Sequence, residues 1–304
     1  MLDRSADVRT PRASACLNGT TIDSVMRFDV TLSGSSKSSR FELTVSTLES
    51  GQPYWWQPSR LVPITVSISV TNSEDDDGIS VIEGLADSVA YDPINGVARI
   101  DGRDYSAVLI NSSYQDSYCN QTSSEIATQI AARHGFTPII TDTSMLVGSY
   151  QGNDHNQVLL NAHSHVLSEW DVLSGLAIKE RFELFVSGTN LIFGPLESLQ
   201  TNYLTLALSD VKSIRFRQEC PLSGQNTVTV KSWNSWLGQT LSYAADQTTE
   251  RSASNPLALG ADAGIEVALV RSNLTSQAVQ QIAENYASKL QQESTSVEIV
   301  TPGE

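Results

Sequence analysis

A chain of 304 residues is too long for one ordinary core and suits two or three domains. Its formal net charge of −15, from 19 Lys and Arg against 34 Asp and Glu, excludes a protein that grips nucleic acid or an anionic membrane through clustered cations. Hydrophobic residues at 40% exclude global disorder, and charged residues at only 17% leave the polarity to Ser, Thr, Asn and Gln, which suit sheet faces better than charged helical bundles.

Residues 1–21 read as a frayed or loosely docked N-terminal extension, polar from Met1 to Arg12 and unlike a signal sequence. From Ser24 the period is two. Met26, Phe28, Val30 and Leu32 fall on one face of a predicted strand, and Phe41, Leu43 and Val45 on one face of the next. Leu61–Val70 alternates again, Glu74-Asp75-Asp76-Asp77-Gly78 is a turn, and Ile79–Tyr91 returns as a strand. Asp92-Pro93 and Asn95-Gly96 mark another turn before Val97–Ile100. Short strands at this spacing predict a small barrel or sandwich over residues 22–110.

The pattern changes in residues 111–200, which read as an α+β unit. Residues 111–121 are polar and irregular. Thr122-Ser-Ser-Glu125 then forms a capping box, with Ile126, Ala127, Ile130 and Ala131 as the apolar stripe and Gly135 as the stop. A second helix starts near Ser168, with Trp170, Leu173, Leu176 and Ala177 on its apolar face. Phe182–Val186, the Ser187-Gly188 turn and Leu191–Phe193 read as a hairpin. Residues 201–304 are again mostly β. Leu204, Leu206 and Leu208 alternate, as do Ile214 and Phe216; Val228 and Val230 lead into Trp233, and Ile265–Val270 is a strand. One long helix carries Val279, Ile282, Ala283, Tyr286 and Leu290 on a single face, before a last strand over Val297–Val300.

The candidate sites are few. His155, His163 and His165, with Glu169 behind them, suggest a metal site, but no fourth ligand stands at a recognisable spacing, and ordinary polar histidines are the favoured reading. The acids Glu74, Asp75, Asp76 and Asp77 do not alternate as a calcium loop requires; they read as a solvated hairpin tip or the negative rim of a pore. Trp55-Trp56, between Pro53 and Pro58, reads as an interface anchor in preference to a sugar-stacking platform. Cys16, Cys119 and Cys220 are scattered and read as reduced thiols, in keeping with synthesis in a cytosol. No G-x-S-x-G elbow, P-loop, G-x-G-x-x-G or H-E-x-x-H occurs, so neither enzyme activity nor a cofactor is expected.

One ordered set of segments carries more information. It runs from Ile79–Gly84 and Asp87–Tyr91 through Ile100-Asp-Gly-Arg-Asp-Tyr105 and Ser124–Gly135. It continues through Ser168–Leu173, Arg181–Pro195 and Val228–Asn234 to Thr301-Pro-Gly303. Over residues 25–303 this set resembles the phage late control protein D family, the tail or baseplate hub of tailed bacteriophages. The resemblance implies a mainly β fold with α+β, in which two barrel-like tube domains (22–110 and 201–304) flank a mixed middle domain (111–200). It implies a homotrimer with pseudo-sixfold symmetry that joins a tail tube to a central spike. The implied partners are other copies of the chain, a spike protein, a tube or distal tail protein and a tape measure protein. DNA would pass through without specific binding, and the place of the protein would be the virion tail after synthesis in the bacterial cytoplasm. Gly102, Arg103 and Asp104 would form a structural turn. The chain ends just past Pro302-Gly303, where the family leads one to expect a further strand. Type VI secretion spikes and tailocins share the hub architecture and are a related reading. A carbohydrate-binding or carbohydrate-cleaving protein, with Trp55, Trp56, Trp233 and Trp236 around a groove, is the alternative from another class.

Overall fold

The structure is a computed structural model, and it describes residues 12–22, 24–34, 36–47, 64–71, 79–113, 117–151, 156–160, 167–196, 211–218, 226–235, 238–247, 266–292 and 295–301. It is mainly β with several sheets and few helices.

The first unit is a seven-stranded sheet. Its strands are β1 (Arg12–Leu17), β2 (Thr20–Ile22), β3 (Val25–Thr31), β4 (Arg40–Ser46), β5 (Thr65–Thr71), β6 (Ile79–Asp92) and β7 (Val97–Asp104), in the order β2-β1-β5-β6-β7-β4-β3. β1 also approaches β3, so the sheet curls back on itself around one core. Phe41, Leu43 and Val45 of β4, Val66 and Ile68 of β5 and Ile100 of β7 are buried together there, as period-two alternation requires.

Two sequence expectations fail in this sheet. Residues 12–21 are not a frayed extension, because β1 pairs with β5 along its whole length and Ala15, Leu17 and Ile22 are buried in the core. Met26 and Leu32 do not share the inner face with Phe28 and Val30; they are 62% and 65% exposed. The register shifts between Val25 and Arg27 in the β3–β4 ladder. Such a bulge re-aims side chains on either side of it, so Val25 packs on the core in place of Met26.

The second core lies in residues 105–193. β7 runs directly into α1 (Ser106–Asn111), a short helix that the sequence reading missed. Strand β8 (Ser117–Cys119) pairs with β11 (Asn156–Leu160), which pairs with β10 (Ser149–Gln151). Helix α2 (Ser123–His134) begins with the expected capping box, and Gly135 ends it in the left-handed conformation at φ 74°. Helix α3 (Glu169–Glu180) has a second box, Ser168 with Asp171. The hairpin of β12 (Glu183–Ser187) and β13 (Asn190–Gly194) forms as the sequence predicts, and β13 pairs in parallel with β9 (Thr137–Ile140). Leu109, Ile126, Ile130, Leu173, Leu184 and Phe193 meet between these layers.

The third core is smaller. β15 (Asn226–Asn234) lies between β16 (Gln239–Gln247) and β17 (Glu266–Val270). Helix α4 (Ser276–Gln292) covers the sheet, burying Val279, Ala283 and Ala287 against Val228 and Val230. The Ala residues allow close approach of helix and sheet. A separate two-stranded ribbon pairs β14 (Ser213–Gln218) with β18 (Thr295–Val300).

Candidate assembly surfaces

Gly102, Arg103 and Asp104 do not form a turn. They are the last three residues of β7, and the chain leaves the strand only at Tyr105. The structure also explains their types. A Cβ on Gly102 would collide with the Leu85 carbonyl oxygen and the Phe41 ring, so the strand crosses here only without a side chain. Arg103 donates two hydrogen bonds to Asp87, from Nε at 2.7 Å and Nη2 at 2.8 Å. That bidentate contact holds the guanidinium pKa above its ordinary value against the opposing effect of burial. Asp104 is 5% exposed and accepts hydrogen bonds from the Ser39 amide at 2.7 Å, the Ser38 hydroxyl at 3.0 Å and the Ser106 amide at 3.1 Å, and from the Ser106 hydroxyl. One carboxylate thus ties the β3–β4 connection to the start of α1.

The same connection reaches the second core. The Ser36 amide donates to the Leu184 carbonyl at 2.8 Å, and Trp170 Nε1 donates to the Ser36 carbonyl at 3.3 Å. The sheet and the α+β layer are therefore joined by one backbone hydrogen bond and one indole hydrogen bond, as well as by the β7–α1 continuity.

His155, His163 and His165 lie outside the described residues, whereas Glu169 opens α3. Its carboxylate is fully buried and bonded to Arg133 Nη1, His134 Nε2 and the Ser112 hydroxyl, the last at 2.7 Å. Burial by itself would raise its pKa, but hydrogen bonds from Ser112, His134 and Arg133 outweigh it and hold the carboxyl below its usual value. Arg133 stands in the last turn of α2 and Glu169 in the first turn of α3, so opposite charges meet at complementary helix termini, and His134 adds a hydrogen bond. The sequence shows basic residues in the last turn of one helix and an acid in the first turn of the next, but not that the two ends meet. Among the described residues, no three His, Cys, Asp or Glu side chains come together in a metal-ligating group. Cys16 and Cys119 are free thiols.

Trp55, Trp56, Glu74, Asp75, Asp76, Asp77, Trp236 and Cys220 also lie outside the described residues. Trp233, on β15, is 54% exposed.

Among the described residues, two surfaces stand out. The first is the β14–β18 ribbon, in which every residue is exposed. Its register sets Ile214 opposite Ile299 and Phe216 opposite Val297, and directly opposed residues share a face. That face is an apolar stripe with Phe216 71% exposed. The other face carries Arg215 opposite Glu298, an exposed ion pair at 3.0 Å. A lone two-stranded ribbon is marginal in water. The second surface is a cleft of 470 Å³ between α3 and α4. Leu176 and Ile178 form one wall, Leu274 and Ile282 the other, and Lys179, Arg271 and Lys289 add positive charge. Gln281 Nε2 donates to Glu180 at 3.2 Å and Asn285 Nδ2 donates to the Lys179 carbonyl, so hydrogen bonds tie the two helices together.

This arrangement is a mainly β tail-protein fold. It is shared over 96% of the chain with the 43 kDa tail protein of prophage MuSo2 from Shewanella oneidensis, at a TM-score of 0.64 and 18% identity, with 83% of that chain covered. The tail protein from Neisseria meningitidis MC58 is similar to the same extent: TM-score 0.65, 14% identity, and 96% and 81% of the two chains covered. Prophage tail protein gp18 from Listeria monocytogenes EGD-e matches at TM-score 0.53 and 11% identity, over 94% of this chain and 79% of that one. No family model matches the chain, and no curated protein matches it in sequence.

Proposed function

We propose that this protein is a structural subunit of a phage tail, a hub in which three copies form a ring of pseudo-sixfold symmetry between the tail tube and the central spike. The observation that carries the reading is the likeness to two prophage tail proteins across 96% of the chain. Two β units, 22–110 with the strands of residues 12–22 added and 201–304, flank the α+β unit 111–200. Three chains with two tube domains each give six units, the number a sixfold tube requires. The spike, the tube or distal tail protein and the tape measure protein are the partners in this reading, and the virion tail is its place. The work is assembly geometry and involves no bond chemistry. A net charge of −15 suits a wall past which DNA slides without adhering. The β14–β18 ribbon gains the apolar cover it needs when a neighbour is present.

Light scattering on the full chain, across concentration and salt, tests the reading. A mass three times that of the chain, with a threefold ring by electron microscopy, is the expected result. A strict monomer at every concentration, with and without a purified spike protein, would refute the ring.

A further inference from the structure

The three units are not joined alike. Between the first two, β7 runs straight into α1, and Asp104 holds the β3–β4 connection against Ser106. The Ser36 amide and the Trp170 indole make a second link there. The buried residues of the third core are distinct from those of the second, and the two units meet along α3 and α4. That seam is polar where it touches. Gln281 Nε2 donates to Glu180 Oε2 at 3.2 Å, and Asn285 Nδ2 donates to the Lys179 carbonyl. The Ser123 hydroxyl donates to the other Glu180 oxygen at 2.7 Å, which fixes Glu180 to α2 independently of α4. Gln281 Oε1 is buried with no hydrogen-bond partner among the described residues, as in a contact that is not fully made. Beside these contacts the helices stand apart across the 470 Å³ cleft. Leu146, Leu167 and Ile178 line it from the second unit and are 41%, 41% and 51% exposed. Leu269, Leu274 and Ile282 line it from the third. Apolar surface on the cleft walls is therefore wetted, and bringing the walls together would remove it from water.

We propose that the α3–α4 seam is a joint: the third unit swings on the Gln281–Glu180 and Asn285–Lys179 contacts and closes the cleft, while the first two units move as one body. Domains of one chain move relative to each other unless the interface between them is large and apolar. Here the apolar part of the interface is the part left open. Closure of this kind needs only a few residues at the pivot, with packed surfaces on either side to meet. Lys179 already has Glu180 at 3.9 Å, and Arg271 and Lys289 are exposed, so closure does not require burying a lone cation. The joint belongs to a single chain, and a ring is not needed for it.

Spin-label distances in the full chain test the joint, on a background of Cys16→Ser, Cys119→Ser and Cys220→Ser. Labels at Gln129→Cys on α2 and Gln277→Cys on α4, both exposed, report the seam. Labels at Ala90→Cys on β6 and Gln129→Cys report the first two units. The expected result is two distances across the seam, open and closed, and one distance for the other pair. A Cβ on Gly175 would meet nothing within 4 Å, so Gly175→Phe fills the cleft from α3, and Ala278→Phe fills it from α4. Each filling should collapse the seam pair to a single distance and leave the other pair where it was. The second pair separates a propped cleft from a misfolded chain, and the two fillings come from opposite walls, so one that folds is enough. A single seam distance in the unfilled chain would overturn the joint. Two distances that survive filling would overturn it as well, since the motion would then lie outside the cleft. A split in the second pair would overturn the rigid union of the first two units.

Discussion

Gly102 and Glu169 show how far single residues are fixed by their surroundings. The strand position of Gly102 faces the Leu85 carbonyl and the Phe41 ring without room for a methyl group. Gly102→Ala is therefore expected to destabilise the protein by about 1–3 kcal/mol, as overpacking does, read as a lower urea midpoint. Glu169→Gln leaves Arg133 and His134 beside a neutral group in a buried site, and a loss of about 3 kcal/mol is expected, as when a buried pair loses one partner. The pH dependence follows from the lowered carboxyl pKa in the folded state. Between that value and the ordinary one, the unfolded chain binds the extra proton, so stability falls as pH falls. The contribution of Glu169 is complete above the ordinary carboxylate range and is lost as pH drops through the folded value. Urea midpoints of wild type and Glu169→Gln should therefore converge on acidification. A constant gap would show that ionisation of Glu169 is not what stabilises the junction. His134 did not stand out, because nothing within its own helix marks it as facing an acid 35 residues later.

At the scale of elements, α2, α3 and α4 were legible because their signals are local. Thr122 accepts from the Glu125 amide at 3.3 Å, and the Glu125 carboxylate accepts from the Thr122 amide at 2.9 Å, all within four residues. Thr122→Ala is expected to lose about 1 kcal/mol, the ordinary worth of an N-cap, measured as a lower thermal midpoint. The β12–β13 hairpin was legible for the same reason, with Gly188 at φ 53° in its turn. Other elements were hidden. α1 is six residues long, has no side-chain cap and is held by the burial of Ala107 and Leu109. β1 is a strand because β5 lies beside it, and its small residues Ala13, Ser14 and Ala15 give only a weak alternation signal. The β3 bulge reverses Met26 through a register shift that no period-two count contains.

For the whole molecule, the surfaces that remain open after folding matter most. Phe216 and Ile299 are exposed on the β14–β18 ribbon and contribute to none of the three cores. Phe216→Ser combined with Ile299→Ser should therefore leave the thermal midpoint of the isolated chain close to wild type, since exposed substitutions change stability by about 0.5 kcal/mol or less. Under the proposed function, the same variant should lower the oligomer fraction measured by light scattering. A variant that unfolds would instead show that the ribbon is covered within its own chain.

The sequence by itself determined the mainly β class, the two capped helices, the long amphipathic α4 and the acidic balance. Each of these depends on residue type and on spacings of a few positions, and the chain carries that information wherever it folds. Tertiary structure alone decided that Asp104 would tie the first sheet to α1, that Glu169 would meet Arg133, His134 and Ser112, and that α3 and α4 would leave a cationic cleft between them. Those groups are distant in sequence, and they meet only because apolar faces from separate elements are buried together and bring their polar neighbours with them.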